Sequence, residues 1–132
     1  MSTAIYEEFD NKEFLTTVSK LAKRIGKTML EKVLVAYYVL IDPSTPVWAQ
    51  STLVGALVYL GFPMDAIPDA IPVAGFSDDM AVLAAALAAV VTSIRWRHVK
   101  SARKTMRAWG FSTKRIPKSV DPDERAHEWT GR

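Results

Sequence analysis

The most constraining feature of this sequence is a long central stretch that contains neither lysine nor arginine. It runs from Val33 to Ile94, and all 17 basic residues of the chain lie outside it. The last basic residue before this stretch is Lys32, and the first one after it is Arg95. A water-exposed domain usually mixes both signs of charge over its surface. The central stretch is therefore expected to be buried, either in a protein core or in a lipid bilayer. Its charged side chains are all aspartates: Asp42, Asp65, Asp69, Asp78 and Asp79.

The size and composition of the chain limit the classes of protein that it can belong to. Its 132 residues suffice for one domain. It contains no cysteine, which excludes disulfides, thiolate catalysis and cysteine-ligated metals. The first ten residues lack the basic start and apolar run of a secretory signal, so no signal peptide is predicted.

Hydrophobic periodicity predicts an all-α chain with three main helices. The first helix begins after Asp10, which has capping-box spacing to Glu13. It is amphipathic up to Lys32 and apolar all round beyond it, and Gly26 is expected to mark a bend. The polar face of its first half carries a basic cluster: Lys20, Lys23, Arg24 and Lys27.

Prolines and glycines divide the rest of the chain. Pro43 and Pro46 end the first helix, because proline cannot continue it. A second helix follows and closes at Gly61, and a third runs from near Asp78 through an apolar part into a basic rod that stops at Gly110. The predicted organisation is a flexible N-terminus (1–11), a helical domain (12–111) and a flexible polar tail (112–132).

The two apolar helices approach the shortest length that spans a bilayer, about 17 residues. Basic residues that flank membrane segments stay on the cytoplasmic side. An even number of crossings would place the basic residues before and after the apolar region on the cytoplasmic side. The acidic segment that connects the two apolar helices would then lie at the opposite face of the membrane. These features favour an integral, multi-pass membrane protein, in which a basic amphipathic helix precedes an apolar helical hairpin and both termini are cytoplasmic. The alternative is a soluble three-helix bundle.

The basic ends predict contact with anionic lipid headgroups rather than with nucleic acid. Rows of small residues, Ser51 with Gly55 and Ala81 with Ala85, predict close helix packing, which would serve a membrane protein partner or self-association. The side chains expected to face lipid are Lys20, Lys23, Arg24, Lys27, Arg95, Arg97, Lys100, Arg103 and Lys104.

The connection between the two apolar helices repeats Asp-Ala-Ile-Pro in tandem and ends in two aspartates. This segment, with its core at residues 59–83, resembles the YkvA-like family, also called the domain of unknown function 1232 (DUF1232) family. The resemblance implies a multi-pass membrane protein with no known reaction. The family pattern falls on Asp65, Ile67, Pro68, Asp69, Ile71, Pro72, Gly75, Asp78 and Asp79.

The four carboxylates of the connection are oxygen donors of the kind that Mg²⁺ and Ca²⁺ prefer, but they lack the spacing of an EF-hand. Helix capping and turn hydrogen bonds are the favoured roles, so no metal or other cofactor is expected. Neither His98 nor His127 has an evident acid–base partner. The expected function is a non-catalytic membrane scaffold or partner subunit. The alternative is a soluble bundle whose acidic loop binds a protein partner or a divalent cation.

Overall fold

The computed structural model describes residues 12–60, 80–126 and 129. These ranges contain five α-helices, one 3₁₀ turn (Val91–Ser93) and no strand. The all-α prediction is therefore confirmed for this part of the chain. The helices are α1 (Lys12–Ile25), α2 (Lys27–Leu40), α3 (Val47–Tyr59), α4 (Met80–Ala89) and α5 (Trp96–Ala108).

Gly26 separates α1 from α2. Its φ of 87° lies in the left-handed region, which residues with a side chain rarely adopt. A Cβ atom at this position would meet no atom within 4 Å, so the backbone conformation rather than a lack of space requires glycine. The predicted bend is thus a break between two helices.

The central element of the fold is α2, which packs against α1, α3, α4 and α5. Its side chains from Val33 to Tyr37 are at most 2% exposed. A helix that is apolar on every side is expected where other elements surround it. The largest fully buried apolar side chains come from α2, α3, α4 and α5 and from the segments that follow α3 and α4: Leu30, Leu34, Leu40, Leu53, Leu57, Leu60, Leu83, Ile94 and Met106.

Side chains in and after the turn between α2 and α3 satisfy the last carbonyl groups of α2. The Thr45 hydroxyl donates to the carbonyl oxygen of Val39 at 2.7 Å, and the Gln50 amide donates to that of Leu40 at 3.0 Å. Both side chains are buried. These bonds matter because the final turn of a helix leaves carbonyl groups without partners inside the helix.

The prediction of an integral, multi-pass membrane protein with both termini cytoplasmic is wrong. Across the described ranges, no helix combines the length and the apolar content needed for crossing a bilayer. The longest, α1 and α2, have 14 residues each, or about 21 Å, against about 30 Å of hydrocarbon. The apolar surface of α2 is covered by the neighbouring helices.

The predicted long third helix, with its basic rod, is also wrong. Helix α4 ends at Ala89, and Ile94 and Arg95 have extended backbone before α5 begins. The C-terminal segment hydrogen-bonds across this break: Ala126 N–H donates to Ile94 O, and Trp96 N–H donates to Glu124 O. Beyond the break, α5 turns back and packs on α2 through Val99, Ala102 and Met106, which are fully buried.

Candidate functional site

The most extensive polar cluster of the described chain is centred on Asp42, at the end of α2. One carboxylate oxygen, Oδ2, accepts from Arg97 Nη2 at 2.7 Å, from Arg97 Nε at 3.1 Å and from His98 Nε2 at 2.8 Å. The other, Oδ1, accepts from the backbone N–H and the hydroxyl of Ser44. The Asp42 side chain is only 14% exposed. Burial alone would raise the pKa of Asp42, but the hydrogen bonds from Ser44, His98 and Arg97 hold it well below its usual range.

His98 is 3% exposed, and both of its ring nitrogens are engaged. Its Nδ1 accepts the backbone N–H of Arg95 at 2.9 Å, which caps the start of α5. Since a backbone N–H only donates, Nδ1 carries no proton and Nε2 donates to Asp42. Burial lowers the pKa of His98 and outweighs the opposing effect of Asp42. The ring is therefore neutral and fixed in one tautomer.

The Asp42–His98 pair resembles the acid–base pairs of hydrolases, but its geometry suits a structural role. In such enzymes, the ring nitrogen that does not face the carboxylate takes a proton from the nucleophile or water. Here that nitrogen, Nδ1, is occupied by the backbone of the same helix. The pair holds the α2–α3 turn against the first turn of α5.

A second polar cluster lies where the C-terminal segment crosses α2. Glu31 Oε2 accepts the indole N–H of Trp129 at 2.6 Å and Nη2 of Arg103 at 3.2 Å. The ammonium of Lys32 lies 5.8 Å from the centroid of the Trp129 ring, in the range of a cation–π interaction. This cluster connects α2, α5 and Trp129 through groups that are far apart in the sequence.

The basic residues predicted to face lipid fall into two groups. Arg97 pairs with Asp42 and with Asp123, and Arg103 pairs with Glu31, so these two arginines hold the fold together. Arg95 also contacts the C-terminal segment, donating to Asp123 O at 3.3 Å. Lys100 is partly buried. The remaining basic side chains are exposed, and their contact with anionic headgroups stays a prediction: Lys20, Lys23, Arg24, Lys27 and Lys104.

The acidic connection lies outside the described residues, and so do all nine of its predicted motif residues: Asp65, Ile67, Pro68, Asp69, Ile71, Pro72, Gly75, Asp78 and Asp79. Their roles stay predictions. The helices on either side are anchored in the core, where Leu60 and Leu83 are fully buried. Across the described ranges, no three acidic, histidine or cysteine side chains lie close enough together to hold a metal ion.

The outer faces of α3 and α4 differ from the rest of the described surface, because neither helix contains a charged residue. Trp48 is 54% exposed and Tyr59 is 61% exposed, at opposite ends of α3. The rows of small residues predicted to bring helices together, such as Ser51 with Gly55, lie on this exposed side. We call the exposed sides of the two helices together the α3/α4 face; its residues are Trp48, Ser51, Gly55, Tyr59, Ala81, Ala84, Ala85 and Ala88.

Sequence reasoning missed the structural roles of Asp42 and Glu31. A signal for Asp42 was present, since it is the only charge between Val33 and Met64 and is followed by Pro43-Ser44, a turn-forming sequence. A lone carboxylate in an apolar surrounding needs a partner, and the basic run after Ile94 was the available source. Glu31 gave no comparable signal, because it lies among other charges on an amphipathic helix.

Residues 51–85 match a family model described as "Protein of unknown function (DUF1232)". The matched range begins within α3, includes the whole acidic connection and ends within α4. The resemblance inferred from the tandem motif is thereby confirmed. No curated protein and no solved structure matches the chain.

Proposed function

We propose that this chain, whose residues 51–85 match the DUF1232 family model, functions as a non-catalytic helical binding module. Its α3/α4 face and acidic connection together bind a protein partner. The partner segment combines basic side chains, which complement Asp65, Asp69, Asp78 and Asp79, with an apolar side that covers Trp48 and its neighbours.

The observation that carries this proposal is the uncharged, exposed α3/α4 face, which belongs to the two helices on either side of the acidic connection. Exposed aromatic side chains surrounded by small residues are typical of surfaces that bind proteins, because they bury much apolar area at little cost in conformational entropy. The non-catalytic part of the proposal is supported by Asp42 and His98, whose polar atoms are taken up by contacts within the fold.

A photo-crosslinking amino acid tests the proposal in cells that naturally express the chain. Placed at Trp48 or at Ala70, the crosslinker is expected to give an adduct of the same mass. At Lys104, an exposed position on α5, that adduct should be absent. Replacing Asp65 and Asp69 together by asparagine should markedly reduce the adduct at Trp48. Identical adducts at all three positions, or none at Trp48 and Ala70, would contradict the proposal.

A divalent cation is the second candidate for the acidic connection, because carboxylates are hard oxygen ligands. The two candidates are separated by the melting temperature of the purified protein with and without Mg²⁺ or Ca²⁺. A rise in melting temperature that disappears in the double asparagine variant would support a cation site. An unchanged melting temperature together with the specific adduct would support the protein partner.

A further inference from the structure

The C-terminal segment that follows Gly110 is attached to the rest of the fold at few points. Its described residues, 111–126 and 129, contain no helix, and most of their side chains are exposed. Among these side chains, the buried ones are Ala126 and Trp129, at 0% and 6% exposed. Segments with few buried contacts separate from a protein at a lower free energy than its core unfolds.

The backbone of this segment is held in the way that proteins hold extended peptides. Ala126 N–H donates to Ile94 O at 2.9 Å, in the extended stretch between α4 and α5. The N–H groups of Trp96 and Arg97 donate to the carbonyl oxygens of residues 124 and 122. A helix start leaves such N–H groups without partners inside the helix. Extended peptides bind to exposed backbone groups of this kind, and pockets for their side chains provide specificity.

Trp129 is the main side-chain anchor of the segment. Its indole N–H donates to Glu31 Oε2 at 2.6 Å, a bond that phenylalanine could not make. Its ring is one wall of a cavity of about 190 Å³, and Leu87, Val91 and Ile94 belong to the other walls. Protein interiors are normally close-packed, with few spaces of this size. The ring therefore leaves part of its site unfilled, which weakens the attachment of the segment.

An exposed ion pair adds a polar contact to this attachment. Asp123 pairs with Arg97 at 2.9 Å, and its carbonyl oxygen accepts from Arg95 at 3.3 Å. The Asp123 side chain is 78% exposed, so the pair adds little free energy. The segment thus presents an acidic residue, a small residue three positions later and a tryptophan after three more.

We propose that the backbone of residues 94–97 and the cavity beside Trp129 form a peptide-binding site, which the chain's own C-terminal segment occupies. The partner is an extended segment of another protein with the same order of acidic residue, small residue and tryptophan. This partner displaces the C-terminal segment. The site adjoins the α3/α4 face at Ala84 and Ala88, but it does not depend on a partner there.

Hydrogen exchange of the full wild-type chain tests whether the C-terminal segment opens by itself. The N–H of Ala126 should exchange at least about a hundredfold faster than that of Leu34 in α2, because local opening costs less free energy than global unfolding. Equally slow exchange of the two groups would mean that the segment separates only when the whole protein unfolds. That result would overturn the proposal.

A fluorescent peptide of residues 119–132 tests binding from outside, by anisotropy. The chain's own segment competes at an effective concentration of about 1 mM, so the peptide should bind the wild-type chain weakly. It should bind the Trp129→Ala chain at least about tenfold more tightly, because the competing segment has lost its anchor. The melting temperature of this variant is measured first. If it does not fold, Asp123→Ala at an exposed position takes its place, with an expected gain of about threefold.

Two controls establish which tryptophan matters. A peptide that carries Trp129→Ala should bind at least about tenfold more weakly than the original peptide. The Trp48→Ser chain loses an exposed tryptophan outside the site, so it should bind the peptide as the wild-type chain does. Equal affinities of the two peptides, or of the wild-type and Trp129→Ala chains, would overturn the proposal.

Hydrogen exchange also locates the bound peptide. The N–H groups of Trp96 and Arg97 should exchange faster in the Trp129→Ala chain than in the wild-type chain, and added peptide should slow them again. Binding that leaves their exchange unchanged would place the peptide elsewhere and contradict the proposed site. Dimer formation by the wild-type chain at the assay concentration would assign the site to the C-terminal segment of a second copy, against a partner of different sequence.

Discussion

The two sides of α2 are held to the rest of the protein in different ways. Towards α5 and the C-terminal segment, α2 and the turn after it use directional contacts: the Asp42 cluster, the Glu31 cluster and a 2.7 Å hydrogen bond between the Tyr38 and Thr105 hydroxyls. Towards α3 and α4, the contacts are mainly apolar and come from side chains such as Leu53, Leu57, Leu83 and Leu87.

This difference shows how an apolar helix can be packed against partners of different composition. Helices α3 and α4 are apolar enough to be held by burial, which is non-directional and scales with area. Helix α5 also packs on α2 through buried apolar side chains, but α5 and the segment after it are rich in charge, so ion pairs and hydrogen bonds add directional contacts on this side. Because α3 and α4 need no charged side chains to hold them in place, their outer sides remain uncharged. These outer sides form the α3/α4 face that we propose for binding.

The largest expected effect on the free energy of unfolding comes from a substitution on the side of α2 that packs against α3 and α4. Leu57, on α3, is fully buried. Leu57→Ala should lower the free energy of unfolding by about 3 kcal/mol, because apolar burial is lost and a cavity remains. The control is Val47→Ala at a position that is 45% exposed, where the change should stay within about 1 kcal/mol. Urea denaturation measures both. If Leu57→Ala lowered the free energy of unfolding by less than about 1 kcal/mol, apolar packing would not be what holds α3 against α2.

The matching test of the directional side is Asp42→Ala, with an expected loss of about 2–3 kcal/mol, because His98 and Arg97 both lose an acceptor. Asp123→Ala is the matched control: Asp123 pairs with the same arginine, but its side chain is 78% exposed. Its loss should be under about 1 kcal/mol. Equal losses from the two variants would show that burial of the carboxylate is not what gives the cluster its strength.

A smaller effect is expected from acidification. His98 has a pKa below its ordinary value of 6.5 in the folded chain, so the unfolded chain binds more protons near pH 6. Stability should therefore fall as the pH drops from above 6.5 towards the folded pKa of His98. It should fall again below the ordinary Asp42 pKa of 3.8, because the folded chain holds that carboxylate ionised. Urea midpoints measured across pH resolve the two ranges.

Two variants test whether His98 causes the loss of stability just below pH 6.5. His98→Gln keeps a donor for Asp42 and removes the titrating ring, so it should flatten the pH dependence around pH 6.5. His127→Gln removes the other histidine of the chain and serves as the control. A flat profile in His127→Gln, with the slope retained in His98→Gln, would contradict the assignment.

The smallest effect on stability is expected on the outer surface of α3. Trp48 is 54% exposed, so Trp48→Ser should change the free energy of unfolding by less than about 1 kcal/mol. If the α3/α4 face binds a partner, the same variant should nevertheless lose the adduct formed from Ala70. A large loss of stability would mean that Trp48 supports the fold instead.

Local features of the sequence were sufficient for the helices and several of their ends. Gly26 and the prolines at 43 and 46 interrupt helices at the predicted places, and Gly110 with a φ of 93° follows the end of α5. The family motif was equally readable, since it depends on nearby residues alone. The break between α4 and α5 could not be predicted from nearby residues, because it is stabilised by hydrogen bonds with residues 122–126, which lie far along the chain.

The sequence by itself determined which segments must leave water, and the tertiary structure decided what covers them. Burial in lipid and burial in protein remove the same apolar area from water, so hydropathy and periodicity favour both equally. The basic residues around the apolar region were ambiguous for a related reason: Arg97 and Arg103 can face headgroups or pair with carboxylates. Only the folded chain brings Asp42 and Glu31 within hydrogen-bonding distance of them, across 55 and 72 residues of sequence.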